Sequence, residues 1–81
     1  MSEQTRIPMF HRNPFKPGTQ NWTVYEIFTR HGGVLKNWQL RDLARAEGIL
    51  NPTARVSNIK EAGIGVVFDK PTSEYRMERA A

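Results

Sequence analysis

Cysteine is absent from this chain, so neither a disulfide framework nor a thiolate metal site is open to it. Histidine is nearly as scarce: His11 and His31 are the only two, and they lack ligand spacing, which argues against a zinc site. No apolar run approaches the ~20 residues of a membrane-spanning helix. The N-terminus lacks the apolar core of a secretory signal, so a cytoplasmic protein without membrane partners is expected. Acidic residues are outnumbered, eight against twelve basic, which leaves a net charge of +4. That sign favours polyanionic partners over metal buffering. The 81 residues suffice for one small domain burying roughly 60% of its unfolded surface.

Catalysis finds little support. The carboxylates are scattered, and Gly63-Ile64-Gly65 lacks the third glycine, the following helix and the βαβ context of a dinucleotide site. His31 follows a helix end with no nucleophile or acid paired to it, so a structural role is expected. No catalytic residue, cofactor or metal site is assigned, and the chain is not expected to be an enzyme.

What the chain does contain is a series of short, well-punctuated elements. Residues 1–18 hold Pro8, Pro14, Pro17 and Gly18, which forbid a regular helix, and show no alternation for a strand. Arg6, His11, Arg12 and Lys16 make this arm basic, and Met9, Phe10 and Phe15 make it sticky. Three readings stay open for it: a flexible terminus, an arm packing its Phe residues on the domain or a second subunit, and an arm entering a DNA minor groove.

The domain itself is expected over residues 19–78, with 79–81 frayed. Val24, Ile27, Phe28 and His31 follow the i, i+3, i+4, i+7 spacing of an amphipathic helix over about 20–30. Thr19, Asn21 and Thr23 all qualify as its cap, Thr23 forming a capping-box pattern with Glu26. Trp22 and Tyr25 lie off the main stripe and are expected at the rim of the core. Gly32-Gly33 ends the helix, and Val34-Leu35 is a short strand candidate. Asn37 is expected to cap a second helix over 38–47, with Leu40, Leu43 and Ala44 inward and Arg41 and Arg45 outward. Gly48 ends it.

Residues 51–63 form the stretch around which the rest is organised. Asn51 is a favoured N-cap, Pro52 suits the first helical position, and Gly63 stands where a left-handed terminator belongs. At 3.6 residues per turn, Pro52, Val56, Ile59 and Gly63 share one face. The opposite face carries Thr53, Ala54, Ser57, Asn58 and Glu61, flanked by Arg55 and Lys60. Short hydrogen-bonding side chains edged by cations are what reading base edges between phosphate strands requires. The same composition also describes an ordinary solvated helix face.

After Gly63 the period changes to that of strands. Residues 64–68 are β-branched and aromatic, 74–77 alternate, and 69–73 between them are turn chemistry with Lys70 at the tip. Two helices joined by a short Gly-containing turn make a helix-turn-helix. A terminal hairpin pairing with Val34-Leu35 adds a wing. The expected class is therefore α+β: a winged helix-turn-helix with three helices, a C-terminal β-hairpin wing and a flexible basic N-terminal arm.

From Gln20 to about Val67 the chain resembles the short winged helix-turn-helix domains of bacteriophage and bacterial genomes. The resemblance is carried by Leu43-Ala-Arg-Ala-Glu-Gly-Ile-Leu50 and by Arg55-Val56-Ser57-x-Ile59-Lys60-x-x-Gly63. It implies a double-stranded DNA-binding protein with the third helix in the major groove and the hairpin against the backbone, in the host cytoplasm if the chain is phage-encoded. The turn is longer than in compact repressors, since Val56 lies about two residues late relative to Gly48. The wing is thinly charged, Lys70 and Arg76 being balanced by Asp69 and Glu74.

On this reading Thr53, Ser57 and Asn58 reach base edges, Asn58 being suited to adenine, while Arg55 reads guanine or clamps a phosphate. Lys60, Arg41, Arg45 and Lys70 hold phosphates. So small a module gains useful specificity from a homodimer or tandem sites. The rival reading is a small protein-interaction module that binds and inhibits a host protein through the Phe10 and Phe15 arm.

Overall fold

The structure is a computed structural model that describes residues 13–78. Its first helix, α1 (Gln20–Arg30), begins at Thr19, whose hydroxyl oxygen accepts from the Trp22 amide at 3.2 Å and donates to the Lys16 carbonyl at 2.7 Å. Of the three candidate caps, Thr19 is therefore the one used. The helix ends at His31, whose Nδ1 donates to the Ile27 carbonyl at 3.0 Å. Val24, Ile27 and Phe28 are buried as their spacing requires, and Tyr25 is buried with them at 1% exposure. The rim position expected for Tyr25 is thus corrected: its ring is a core element.

Phe15 explains the difference. It packs on the core and meets the Tyr25 ring edge-on at 6.3 Å between centroids. Asn13 fastens the same segment, donating Nδ2 to the Trp22 carbonyl and to Glu26 Oε2 while its Oδ1 accepts from the Phe15 amide. Of the three readings of the arm, residues 13–18 take the second, packing on the domain. Phe10 and the other arm residues up to Arg12 lie outside the described residues.

Strand β1 (Val34–Lys36) leads directly into α2 (Asn37–Ala46). The cap of α2 is Lys36 rather than Asn37: the Lys36 amide donates to Gln39 Oε1 at 3.0 Å. Asn37 is instead the first helical residue, and its amide donates to the Ser73 carbonyl at 2.7 Å, joining the helix to the hairpin turn. Leu40 and Ala44 are fully buried, with Leu43 packed beside them. Helix α3 (Pro52–Glu61) starts as expected, Asn51 Oδ1 accepting from the Ala54 amide at 3.3 Å with Pro52 in the first turn. Gly63 follows its end with φ +96°, a left-handed value that side chains disfavour.

Strands β2 (Val66–Asp69) and β3 (Glu74–Met77) form an antiparallel hairpin, and β3 pairs on its other side with β1. The result is a small α+β fold with three helices and a three-stranded antiparallel sheet in the order β1-β3-β2. The register gives the sheet two distinct faces, since paired residues share a side. Leu35, Tyr75, Phe68, Met77 and Val66 line the inner face, and Val34, Arg76 and Val67 cross the outer one. Tyr75 links the hairpin to the core, its ring 6.3 Å from Phe28 and 4.8 Å from Phe68. The core joins α1, α2 and α3 to the inner face through Val24, Phe28, Leu35, Leu40, Val56, Ile59 and Met77, among others. No helix among the described residues is long and apolar enough to cross a membrane.

Candidate nucleic-acid interface

Helix α3 is held on the domain by Pro52, Val56 and Ile59, all buried, and packs chiefly on α1. That anchoring divides its remaining side chains into two groups. Thr53, Ser57 and Lys60 recur at i, i+4 and i+7 and are exposed, forming one continuous stripe with Glu61 beside it. Arg55 and Asn58, three residues apart, lie half-buried on the flank between this stripe and the core. The residues expected on one reading face are therefore split between an open stripe and a supported edge.

The two flanking residues are in different states. Asn58 Nδ2 donates to Asn21 Oδ1 in the first turn of α1 at 3.0 Å. That bond uses one of the two Nδ2 hydrogens, so the side chain expected to read adenine is tethered to α1 while its second N–H and its Oδ1 keep their hydrogen-bonding capacity. Arg55 has its Nε buried without a hydrogen-bond acceptor. A buried donor left unpaired costs about 1–3 kcal/mol, so Arg55 is held at an energetic cost.

Among the described residues, the only salt bridge given by the geometry joins Arg76 to Glu74 at 3.1 Å on the outer sheet face. Arg41, Arg45, Lys60 and Lys70 have no acidic partner there. Arg41 and Arg45 lie on an exposed stripe of α2 opposite Leu40 and Ala44, which also carries Trp38, 59% exposed. Lys70 stands at the tip of the hairpin, exposed. The candidate residues thus occupy α3, a stripe on α2 and the hairpin tip.

Two contributors were missed in reading the sequence. Lys36 is brought to the hairpin turn by the β1–β3 pairing, its Nζ donating to the Thr72 carbonyl at 3.4 Å. It adds a second cation near Lys70. The other is Asn21, considered only as a cap, which acts instead as the partner of Asn58. Neither had a local signal. Lys36 was accessible through the pairing of residues 34–36 with the hairpin, whereas Asn21 required the angle between two helices. Among the described residues no group of three or more His, Asp or Glu side chains is arranged to hold a metal ion. No protein-family model matches the chain, and neither any curated protein nor any solved structure does.

Proposed function

We propose that this chain is a sequence-specific double-stranded DNA-binding protein of the winged helix-turn-helix type, acting as a transcriptional regulator. The order of helices and the β1-β3-β2 sheet support that reading: α2, the turn through Gly48 and α3 form the helix-turn-helix, and the β2–β3 hairpin forms the wing. The observation that carries it is the open stripe of Thr53, Ser57 and Lys60 on a helix anchored to the core by Pro52, Val56 and Ile59.

In this reading α3 enters the major groove and Thr53 and Ser57 make hydrogen bonds to base edges. Arg55, half-buried on the flank of α3, supplies the charged contact, its planar guanidinium being suited to a phosphate or a guanine edge. Asn58 orients the helix through one Nδ2 hydrogen on Asn21, and its second N–H and Oδ1 keep the capacity to meet a base edge. Lys60, Arg41, Arg45 and Lys70, which form no salt bridge among the described residues, hold phosphates and set the register. In the rival protein-interaction reading, the Phe15 ring packs on Tyr25 and only its exposed part would be offered to a partner.

The test is selection of bound sequences from a random duplex pool at physiological salt, followed by binding of the enriched site. Ser57→Ala relaxes specificity at one base position, whereas Lys60→Ala weakens all sequences alike and lowers the salt slope by about 0.9 log unit per log unit of salt. No enrichment from the pool, with equal and weak binding of every duplex, defeats the reading.

A further inference from the structure

Strand β2 lies at the edge of the sheet, with one side unpaired among the described residues. The ladder determines which groups that side presents. The Glu78 amide donates to the Gly65 carbonyl at 2.9 Å, so Gly65 faces β3, and by the alternation of antiparallel pairing Val67 and Asp69 do too. The main-chain N–H and C=O groups of Val66 and Phe68 therefore point outward. Exposed edges are normally guarded by lysine, proline or a bulge. Residues 66–69 contain no lysine or proline and pair with β3 without a bulge. Their one charge, Asp69, is turned back to the Thr72 hydroxyl at 2.6 Å. Two of its side chains are apolar and open, Val67 at 51% and Phe68 at 39% exposure, while Val66 is buried.

We propose that two copies of this chain join along β2, antiparallel about a two-fold axis through Val67, so that the two sheets become one. The backbone is self-complementary in this register. Val66 of each copy falls opposite Phe68 of the other, and the outward N–H and C=O groups of the two exchange hydrogen bonds as an antiparallel pair requires. The side chains agree with the backbone. Val67, the more exposed apolar side chain of the strand, meets its own counterpart on the outer face, while Phe68 falls on the inner face opposite the buried Val66 of the second copy.

Charge complementarity supports the same register. Lys70, exposed and without an acidic partner among the described residues, falls opposite Ile64 of the second copy. Ile64 closely follows the C-terminus of α3, where the negative end of the helix dipole and the exposed Glu61 carboxylate favour a cation. An edge this short belongs to the small interface class, below ~1,200 Å² in total, that is typical of transient complexes. The dimer is accordingly weak and concentration-dependent. It uses none of Thr53, Arg55, Ser57 or Lys60 and shares only Lys70 with the proposed DNA contacts, so its tests turn on Val67, which that reading does not use.

Because the chain has no cysteine, single-cysteine variants report on proximity without background. Val67→Cys in the full chain, under mild oxidation, is expected to form a disulfide-linked dimer at least about tenfold faster than Leu50→Cys, which lies off the sheet and is 87% exposed. Sedimentation equilibrium of the unmodified chain is expected to show a concentration-dependent dimer. Val67→Lys, which sets like charges face to face, is expected to weaken that dimer at least about tenfold with its far-UV circular dichroism unchanged. The proposal is overturned if Val67→Cys cross-links no faster than Leu50→Cys, or if the unmodified chain stays monomeric up to about 1 mM. It is equally overturned if Val67→Lys folds and dimerises like the parent. Should Val67→Lys fail to fold, the cross-linking comparison decides alone.

Discussion

The side-chain amide of Asn58 on α3 donates to the side-chain carbonyl of Asn21 on α1 at 3.0 Å, joining two helices 37 residues apart in the chain through a half-buried polar bridge. Apolar packing by Val56 and Ile59 holds α3 against the core but tolerates small rotations about the helix axis. A directional hydrogen bond on the flank limits that rotation and so sets which side chains face outward. Asn21→Ala and Asn58→Ala are each expected to lower stability by about 1 kcal/mol in urea titrations. The double variant is expected to cost clearly less than the sum, because either change removes the same bond. Additive losses from the two sites would show that the bridge has no energetic weight.

Arg55 gives a prediction of opposite sign for stability and for binding. Its Nε is buried without an acceptor, so replacing it by Met, similar in length and apolar, removes an unmet donor while keeping most of the packing. Arg55→Met is expected to match or exceed the parent in stability by up to about 1 kcal/mol, while DNA affinity falls at least about tenfold. Thermal unfolding and mobility shifts on the same preparation check both halves. A variant that loses stability and keeps its affinity would mean that Arg55 serves the fold.

Phe15 should behave as a core residue despite its position in a Pro-rich segment. It packs on the buried cluster and against the Tyr25 ring, and Asn13 ties the same segment to α1. Phe15→Ala is expected to lower stability by about 2 kcal/mol, below the cost for a fully buried Phe because the ring is partly exposed. Asn13→Ala is expected to cost about 1 kcal/mol by losing its bonds to the Trp22 carbonyl and Glu26. Denaturant midpoints for the two variants measure this, and unchanged midpoints would return residues 13–18 to the status of a loose arm.

Tyr25 links the same packing to pH. Burial of the phenol, with a smaller effect from the Glu26 carboxylate, raises its pKa above the ordinary value of 10.0. The folded protein thus holds the phenolic proton more tightly than the unfolded chain does. That stability is fully present below pH 10 and is lost as pH rises from there through the raised value. Stability measured by denaturant across the alkaline range is expected to fall in the parent. In Tyr25→Phe this component of the slope is expected to vanish. An identical alkaline slope in the two proteins would remove Tyr25 as its source.

Much of the architecture was legible because it rests on local chemistry. Asn51, Pro52 and Gly63 bound α3 through their own backbone preferences, and Val56 and Ile59 mark its buried side by spacing alone. The turn residues at 69–73 likewise separate two strands by their own conformational tendencies. Asn37 shows where such reasoning stops. By propensity it is a better helix cap than Lys36, but its amide is drawn to Ser73 across the sheet, so the cap falls to Lys36 and Gln39. Tyr25 and Phe15 fail for a related reason. Tyr25 is off the periodic stripe and Phe15 is in a Pro-rich segment, and the two meet through a tertiary ring contact that neither position signals locally.

Sequence by itself determined the helices, their order, the hairpin and the inward faces, since caps, turns and hydrophobic period act over a few residues. Only the tertiary structure decided how the outer face of α3 is divided. Thr53, Ser57 and Lys60 are left open, and Asn58 is drawn to Asn21 because the packing of α1 on α3 brings two amides within hydrogen-bonding distance. Winding a helix in isolation shows which side chains share a face. It cannot show which of them a neighbouring helix will engage, because that depends on interhelical geometry set by the whole core.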